Sequence, residues 1–223
     1  FGDELREVLA LLPAERQTLL YSATFPPAVR SLAEAQLRNP TRVQVDAGMA
    51  KVAAAITQRA IEVDVGKRTL LLRHLLATHG WSHVLVFVSS RNGADHVAQK
   101  LARAGIASAA LHGELSQGIR AQALADLKSQ VIQVLVATDV AARGLDIVQL
   151  PAVVNYDLPR SPTDYLHRIG RTGRAGESGV AVSFITIEND LMKPNLSVLN
   201  TATPMGVVYA QHCQEALELG CGA

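Results

Sequence analysis

Residues 131–147 read Val-Ile-Gln-Val-Leu-Val-Ala-Thr-Asp-Val-Ala-Ala-Arg-Gly-Leu-Asp-Ile. The first part, Val131–Ala137, is a nearly unbroken apolar run of strand length; from Thr138 the sequence turns polar. A strand that lacks apolar–polar alternation is one covered on both faces, as in a parallel sheet. Working outward, His83–Val88, Ala152–Tyr156 and Val180–Ile185 are runs of the same kind, and Ile56–Val63 and Ser108–Leu111 are further strands. Between them lie stretches with helical spacing: Lys67–Thr78, Arg91–Ala104 closed by Gly105, Ser116–Lys128 behind the cap Ser116, and Pro162–Gly170 behind the cap Ser161. Strands that alternate with helices of about ten to fifteen residues form βαβ units. The fold class is therefore α/β: an open parallel sheet with helices on both faces.

The flanks are less regular. Upstream, Asp3–Leu12 has helical spacing (Leu5, Val8, Leu9, Leu12), Gln17–Ser22 reads as a strand, Pro27–Leu37 as a helix and Arg42–Val45 as a short strand. Asp46–Ala55 is Ala-rich and reads as a linker. Downstream, Leu191–Ala223 holds Pro194, Pro204 and Gly206, then a helix pattern over Val208–Leu219.

The 223 residues are 48% hydrophobic and 18% charged, which is a globular composition, and only 4% aromatic. The core must then be mostly Ala, Val, Leu and Ile. A net charge of +1 excludes a polybasic nucleic-acid sponge but leaves room for a local basic groove. Cys213 and Cys221 lie too near the C-terminus to staple the body of the chain, and with His212 they make no four-ligand zinc set. No apolar run reaches the roughly 18 residues of a membrane span, so no membrane partner is expected.

In sheets of this class ligands collect at the carboxyl ends of strands. Those ends carry Ser89-Ser90-Arg91, His112-Gly113, Thr138-Asp139 running on to Arg143-Gly144-Leu145-Asp146, and Asp157 before Pro159. Beyond the last lies His167-Arg168-Ile169-Gly170-Arg171-Thr172-Gly173-Arg174. Arginine forks suit phosphate oxygens, and glycines let backbone approach a ligand.

Together these segments resemble the second RecA-like domain of a DEAD-box ATP-dependent RNA helicase. Val84–Arg91 resembles motif IV, Gln117–Arg120 the Q-x-x-R element, Ala137–Ile147 motif V, Val154–Pro159 motif Va and His167–Arg174 motif VI. Ser22-Ala23-Thr24 resembles motif III, which closes the first RecA-like domain. The resemblance divides the chain into the end of that first domain (1–45), a linker (46–55), the second domain (56–189) and an unassigned tail (190–223). The fold it implies is RecA-like, a P-loop NTPase-like helicase C-terminal domain.

The resemblance also implies roles. Arg171 and Arg174 match the arginines that reach the γ-phosphate of ATP, with His167 alongside as a link to the acidic and S-A-T motifs. Gly144 and Asp146 match the segment that meets the nucleotide ribose. Arg91, Gly113, Gln117, Arg120, Thr138 and Asp139 match groups that hold RNA through its sugar-phosphate backbone. Asp139, being an anion, accepts from a ribose hydroxyl or orients arginines. Ser22 and Thr24 match hydroxyls that connect hydrolysis to strand separation.

The phosphate loop and the D-E-A-D box of the family are not in this sequence. Gly66-Lys67 is followed by Arg68-Thr69 without the first glycine of a phosphate loop, and reads as a linker or helix start. ATP with Mg²⁺ is the implied cofactor, the Mg²⁺ ligands belonging to the absent first domain, which is also the implied protein partner. Ribosome-assembly or RNA-decay partners are open. The expectation is a truncated chain, beginning at Phe1, that neither hydrolyses ATP nor unwinds RNA alone. Two other readings stay open: a non-enzymatic RNA-binding module on the same fold, and another superfamily-2 helicase. The motif wording looks bacterial, which points to the cytoplasm.

Overall fold

The computed structural model describes residues 2–22, 25, 27–43, 56–142, 147, 150–173, 179–186 and, as backbone, 206–209. The chain forms two compact units, Phe1–Ala47 and Gly48–Ala223.

The first unit holds helices α1 (Gly2–Ala10) and α2 (Pro27–Gln36). Asp3 and Glu4 in the first turn of α1 complement its dipole, and Pro27 opens α2, where its missing N–H costs nothing. The strand expected over Gln17–Ser22 does not form. That segment carries no regular structure, with Leu19 65% and Tyr21 87% exposed. A strand is stable only within a ladder, and among the described residues this unit holds no other strand. The same applies to Arg42 and Val43; the rest of that expected strand lies outside the described residues.

The second unit is the parallel sheet. In chain order it runs β1 (Ile56–Glu62), a 3₁₀ turn (Val65–Lys67), α3 (Arg68–His79), β2 (Val84–Val88), α4 (Arg91–Arg103), β3 (Ser108–Leu111) and α5 (Gln117–Lys128). It continues with β4 (Val134–Thr138), α6 (Asp139–Ala142), β5 (Ala152–Asn155), α7 (Pro162–Ile169), β6 (Gly179–Ile185) and β7 (Gly206–Tyr209). The strand order is β3-β4-β2-β5-β6-β1-β7, and every pairing is parallel.

The alternation of side chains along each strand builds two layers of core. Val84, Val86 and Val88 of β2 face one way and pack with Leu71, Leu72, Leu75 and Leu76 of α3 and Val97 and Leu101 of α4. Leu85 and Phe87 face the other way and pack with Ala123 and Leu127 of α5 and Ala141 and Ala142 of α6. Tyr165 and Ile169 of α7 extend this second layer over β1 and β6, against Ile56, Ala60, Ala181 and Ile185. The central strands are mostly apolar because α3 and α4 cover one face and α5 to α7 the other; buried Asn155 and Ser183 are hydrogen-bonded to each other.

Serine caps position the helices. Ser90, Ser116 and Ser161 accept from the backbone N–H of Gly93 (3.0 Å), Ile119 (3.4 Å) and Asp164 (3.1 Å). Two departures from the sequence reading in this unit go beyond a residue at an element's end. The strand expected from Val131 starts at Val134, because Gln130 takes φ +60° and Val131 turns out to solvent. Val208 and Tyr209, expected to begin a helix, instead form β7, which pairs with β1 from Arg59↔Gly206 to Glu62↔Tyr209. The open edge of β1 supplies the ladder partner, and Val and Tyr suit a strand. The remainder of that expected helix, to Leu219, lies outside the described residues.

Candidate nucleotide and RNA site

Strands β3, β4 and β2 are neighbours and run in one direction, so their carboxyl ends form one edge about 10 Å across. All six residues matched to RNA contacts sit on that edge. Arg91 opens α4 after β2, Gly113 follows β3, Gln117 and Arg120 fill the first turn of α5, and Thr138-Asp139 joins β4 to α6. Arg91, Gly113 and Gln117 are exposed; Arg120, Thr138 and Asp139 are half-buried. Arg120 Nη1 donates to Gln117 Oε1 (3.0 Å), and Arg91 pairs with Glu114 at the surface.

The backbone of Arg171 lies elsewhere. Helix α7 starts near the carboxyl end of β5 and runs back across the sheet for eight residues, about 12 Å, which is the length of a short strand. Its exit is tied to the amino end of β5. Leu150 N–H donates to the Arg171 carbonyl (3.1 Å), and the buried Thr172 hydroxyl donates to the Leu150 carbonyl. Gly173 then takes φ +64° against Ile56, at the start of β1. The strand-end rule therefore finds the RNA-matched edge but not this segment, which α7 carries to the far end of the sheet. His167 and Arg171 are half-buried and line a small recess with Phe87, Asp139, Ala142, Asp164 and Arg168. Arg174, Gly144, Asp146 and Thr24 lie outside the described residues; Ser22 is described and exposed.

Sequence reasoning assigned Arg168 no role, yet its guanidinium makes four hydrogen bonds in the site. It is 2% exposed. Its Nε and Nη2 donate to Asp139 Oδ1 (2.6 Å) and Oδ2 (2.7 Å). Its Nη1 donates to Asn155 Oδ1 (3.1 Å) and the Asp157 carbonyl (2.6 Å), and the guanidinium lies 4.9 Å from the Phe87 ring centre. A signal was there to read: Arg168 falls on the helical stripe of the apolar Tyr165 and Ile169, three residues after one and one before the other.

A second network locks the same edge. The Asp157 carboxylate accepts from Arg68 Nη1 (2.8 Å) and from Ser89 N–H (2.8 Å) and Oγ–H (3.0 Å). Arg68 also reaches the Thr186 hydroxyl (3.1 Å). This gives the Gly66–Thr69 segment a structural task at the start of α3, in keeping with its reading as a helix start. Tyr165, fully buried, donates to Gln58 Oε1 (2.8 Å), and burial pushes its hydroxyl up to about 12.

Comparison with known proteins decides the family. The helicase conserved C-terminal domain matches residues 66–176. The DEAD-box protein SrmB of E. coli, solved in complex with regulator of ribonuclease activity A, is 39% identical, with 69% of this chain and 89% of that one covered at a TM-score of 0.62. The chain belongs to the DEAD-box RNA helicase family. S. cerevisiae Dbp5, solved with RNA and ADP BeF3, matches this DEAD-box chain over 98% of its residues and 57% of its own, at 30% identity and a TM-score of 0.79. The DEAD-box ATP-dependent RNA helicase CshA of Geobacillus kaustophilus is 43% identical over 186 residues, 83% of this chain. The chain spans about 40% of the length of the curated relatives it matches. The parallel sheet with helices on both faces is the RecA-like fold of the family's C-terminal domain.

Proposed function

We propose that this chain is the C-terminal half of an ATP-dependent RNA helicase, which holds single-stranded RNA at the carboxyl edge of β3, β4 and β2 and supplies Arg171 and Arg174 to ATP. The observation that carries this is the convergence of Arg91, Gly113, Gln117, Arg120 and Thr138 on three adjacent strand ends, with Asp139 next to Thr138. Phosphate and ribose contacts from such groups hold a strand without reading its sequence, which suits an enzyme that remodels many RNAs.

In phosphoryl transfer the protein positions the reactants and stabilises charge. A cation at the γ-phosphate is worth about 10³–10⁵ in rate in GTPases. Arg171 fits this role because its backbone is pinned on both sides, by α7 and by Leu150. Gly144 and Asp146 would meet the ribose, and Ser22, Thr24 and His167 would connect hydrolysis to strand separation. We place the Mg²⁺ that accompanies ATP on ligands outside this chain. Among the described residues no group of three or more His, Cys, Asp or Glu stands together to hold a metal ion. We also place the protein in the cytoplasm, on the bacterial wording of its motifs; among the described residues no helix is long and apolar enough to cross a membrane.

The test is RNA-stimulated phosphate release. This chain alone should give none, and the chain joined to a first RecA-like domain should turn over. In that protein Arg171→Ala should lower kcat by about 10³ or more. Turnover by the isolated chain, or an unchanged rate in the variant, would refute the assignment.

A further inference from the structure

We propose that Arg168 is a positioning residue that ties the Arg171 segment to the RNA edge, and that Asp139 serves Arg168 and not the RNA. This rests on the function proposed above and extends it to residues that touch neither ligand.

The bonding leaves Arg168 little freedom to do anything else. Its five N–H donors include four that reach Asp139, Asn155 and the Asp157 carbonyl, and one face of the guanidinium covers Phe87. At 2% exposure it presents nothing to a phosphate. Asp139 spends one oxygen on Nε and the other on Nη2, the fork-on-fork geometry that fixes both distance and orientation. Its carboxylate, 30% exposed, is thus held in orientation by a buried cation.

A buried ion pair is weak support for stability as such, since an apolar side chain of similar size often does as well. What this pair does is join two places. Asp139 follows Thr138 directly at the end of β4, on the RNA-matched edge. Arg168 lies in the last turn of α7, and its carbonyl accepts from Arg171 N–H (3.2 Å). Its long side chain leans back toward the start of its helix, as helical side chains do, and so reaches the carboxyl edge from the far end. Asn155, wholly buried, carries the network on by donating to Ser183 Oγ (3.1 Å), which anchors it in β6. A displacement of Thr138-Asp139 thus moves the backbone that presents Arg171. A lysine at 168 would keep the charge and lose the fork.

The experiment uses the chain joined to a first RecA-like domain, with Asp139→Asn, Asp139→Glu, Arg168→Lys and the double variant Asp139→Asn/Arg168→Lys. Each single loss of the fork should lower kcat at saturating RNA at least tenfold, with ATP KM and RNA Kd within threefold of the parent. Asp139→Glu should recover part of kcat, and the double variant should be no worse than the worse single one. A tenfold weaker RNA Kd with kcat retained would make Asp139 an RNA contact and overturn the proposal, as would losses that multiply in the double variant. A second measurement needs only this chain. The Arg168 Nε–H resonance should be protected from solvent exchange at pH 7 and lose that protection in Asp139→Asn; free exchange in the parent overturns the proposal. Should the joined protein hydrolyse no ATP, the function reading fails, and the protection measurement still decides the pair.

Discussion

Replacing Gly173 by alanine should cost far more than the same change at Gly105, although both glycines have left-handed backbone. Gly173 has φ +64° and Gly105 φ +79°. An L-residue in that region costs about 1–2 kcal/mol at either site. The surroundings differ. A Cβ at Gly105 would meet nothing within 4 Å, whereas one at Gly173 would sit 2.6 Å from Ile56 Cγ1, 3.5 Å from its Cδ1 and 3.6 Å from Gly179 N. Ile56 is 5% exposed and packs under α7, so it cannot step aside into water. Such overpacking adds about 1–3 kcal/mol. Gly173→Ala should therefore destabilise by about 2–5 kcal/mol, a large share of the roughly 5–15 kcal/mol that holds a domain folded. Urea unfolding followed by the fluorescence of the single tryptophan, Trp81, which is 8% exposed, measures both variants on this chain. In an Ile56→Ala background the extra penalty of Gly173→Ala should fall to that of Gly105→Ala. Equal losses for the two glycine variants, within about 0.5 kcal/mol, would mean that the segment between Arg171 and Arg174 is not clamped against β1 as described.

Three further outcomes follow from other parts of the structure. Arg91→Ala should weaken RNA binding and flatten its salt dependence by about 0.7 in log–log slope, the value for one contact to a single strand. Glu114→Gln, which frees Arg91 from its surface partner, should tighten binding; fluorescence anisotropy over a salt series reads both. Tyr165 makes an alkaline limb. Its hydroxyl lies at about 12 in the fold against an ordinary 10, so its contribution is complete below pH 10 and is lost as pH rises through 12. That shift is worth about 3 kcal/mol, and urea midpoints between pH 10 and about 12 should fall in the parent and stay flatter in Tyr165→Phe.

The central sheet was legible because strands covered on both faces are mostly apolar, as Val84–Val88 and Ala152–Val154 are. Serine caps were legible at Ser116 and Ser161 for the same local reason. What failed needed a partner to be visible. Gln17–Ser22 has strand-like residues but no ladder, and Val208-Tyr209 became a strand only because the edge of β1 was open. Val131 looks like strand core, but the turn at Gln130 puts it outside. Of the site, strand ends pointed to Arg91, Gly113, Thr138 and Asp139, while Gln117 and Arg120 entered only through the Q-x-x-R resemblance. The position of Arg171 depends on how far α7 runs, and the role of Arg168 on bonds to residues 11 to 29 positions away, which no local pattern reports.

The position of β1 has a consequence for synthesis. It is the first strand of the sheet to leave the ribosome, yet its neighbours are β6 and β7, and the β1–β6 register starts with Ile56 beside Gly179, 123 residues later. At about 5–20 residues per second, that is a wait of about 6–25 s. The pairing of β2 with β4, Val84 beside Val134, closes much sooner. The nascent sheet should therefore grow outward from β2 while β1 waits with both edges bare. Arg59, in the middle of β1, puts a charge on that bare strand, the usual guard against pairing with the wrong chain. The strand made first is in this way among the last to be locked.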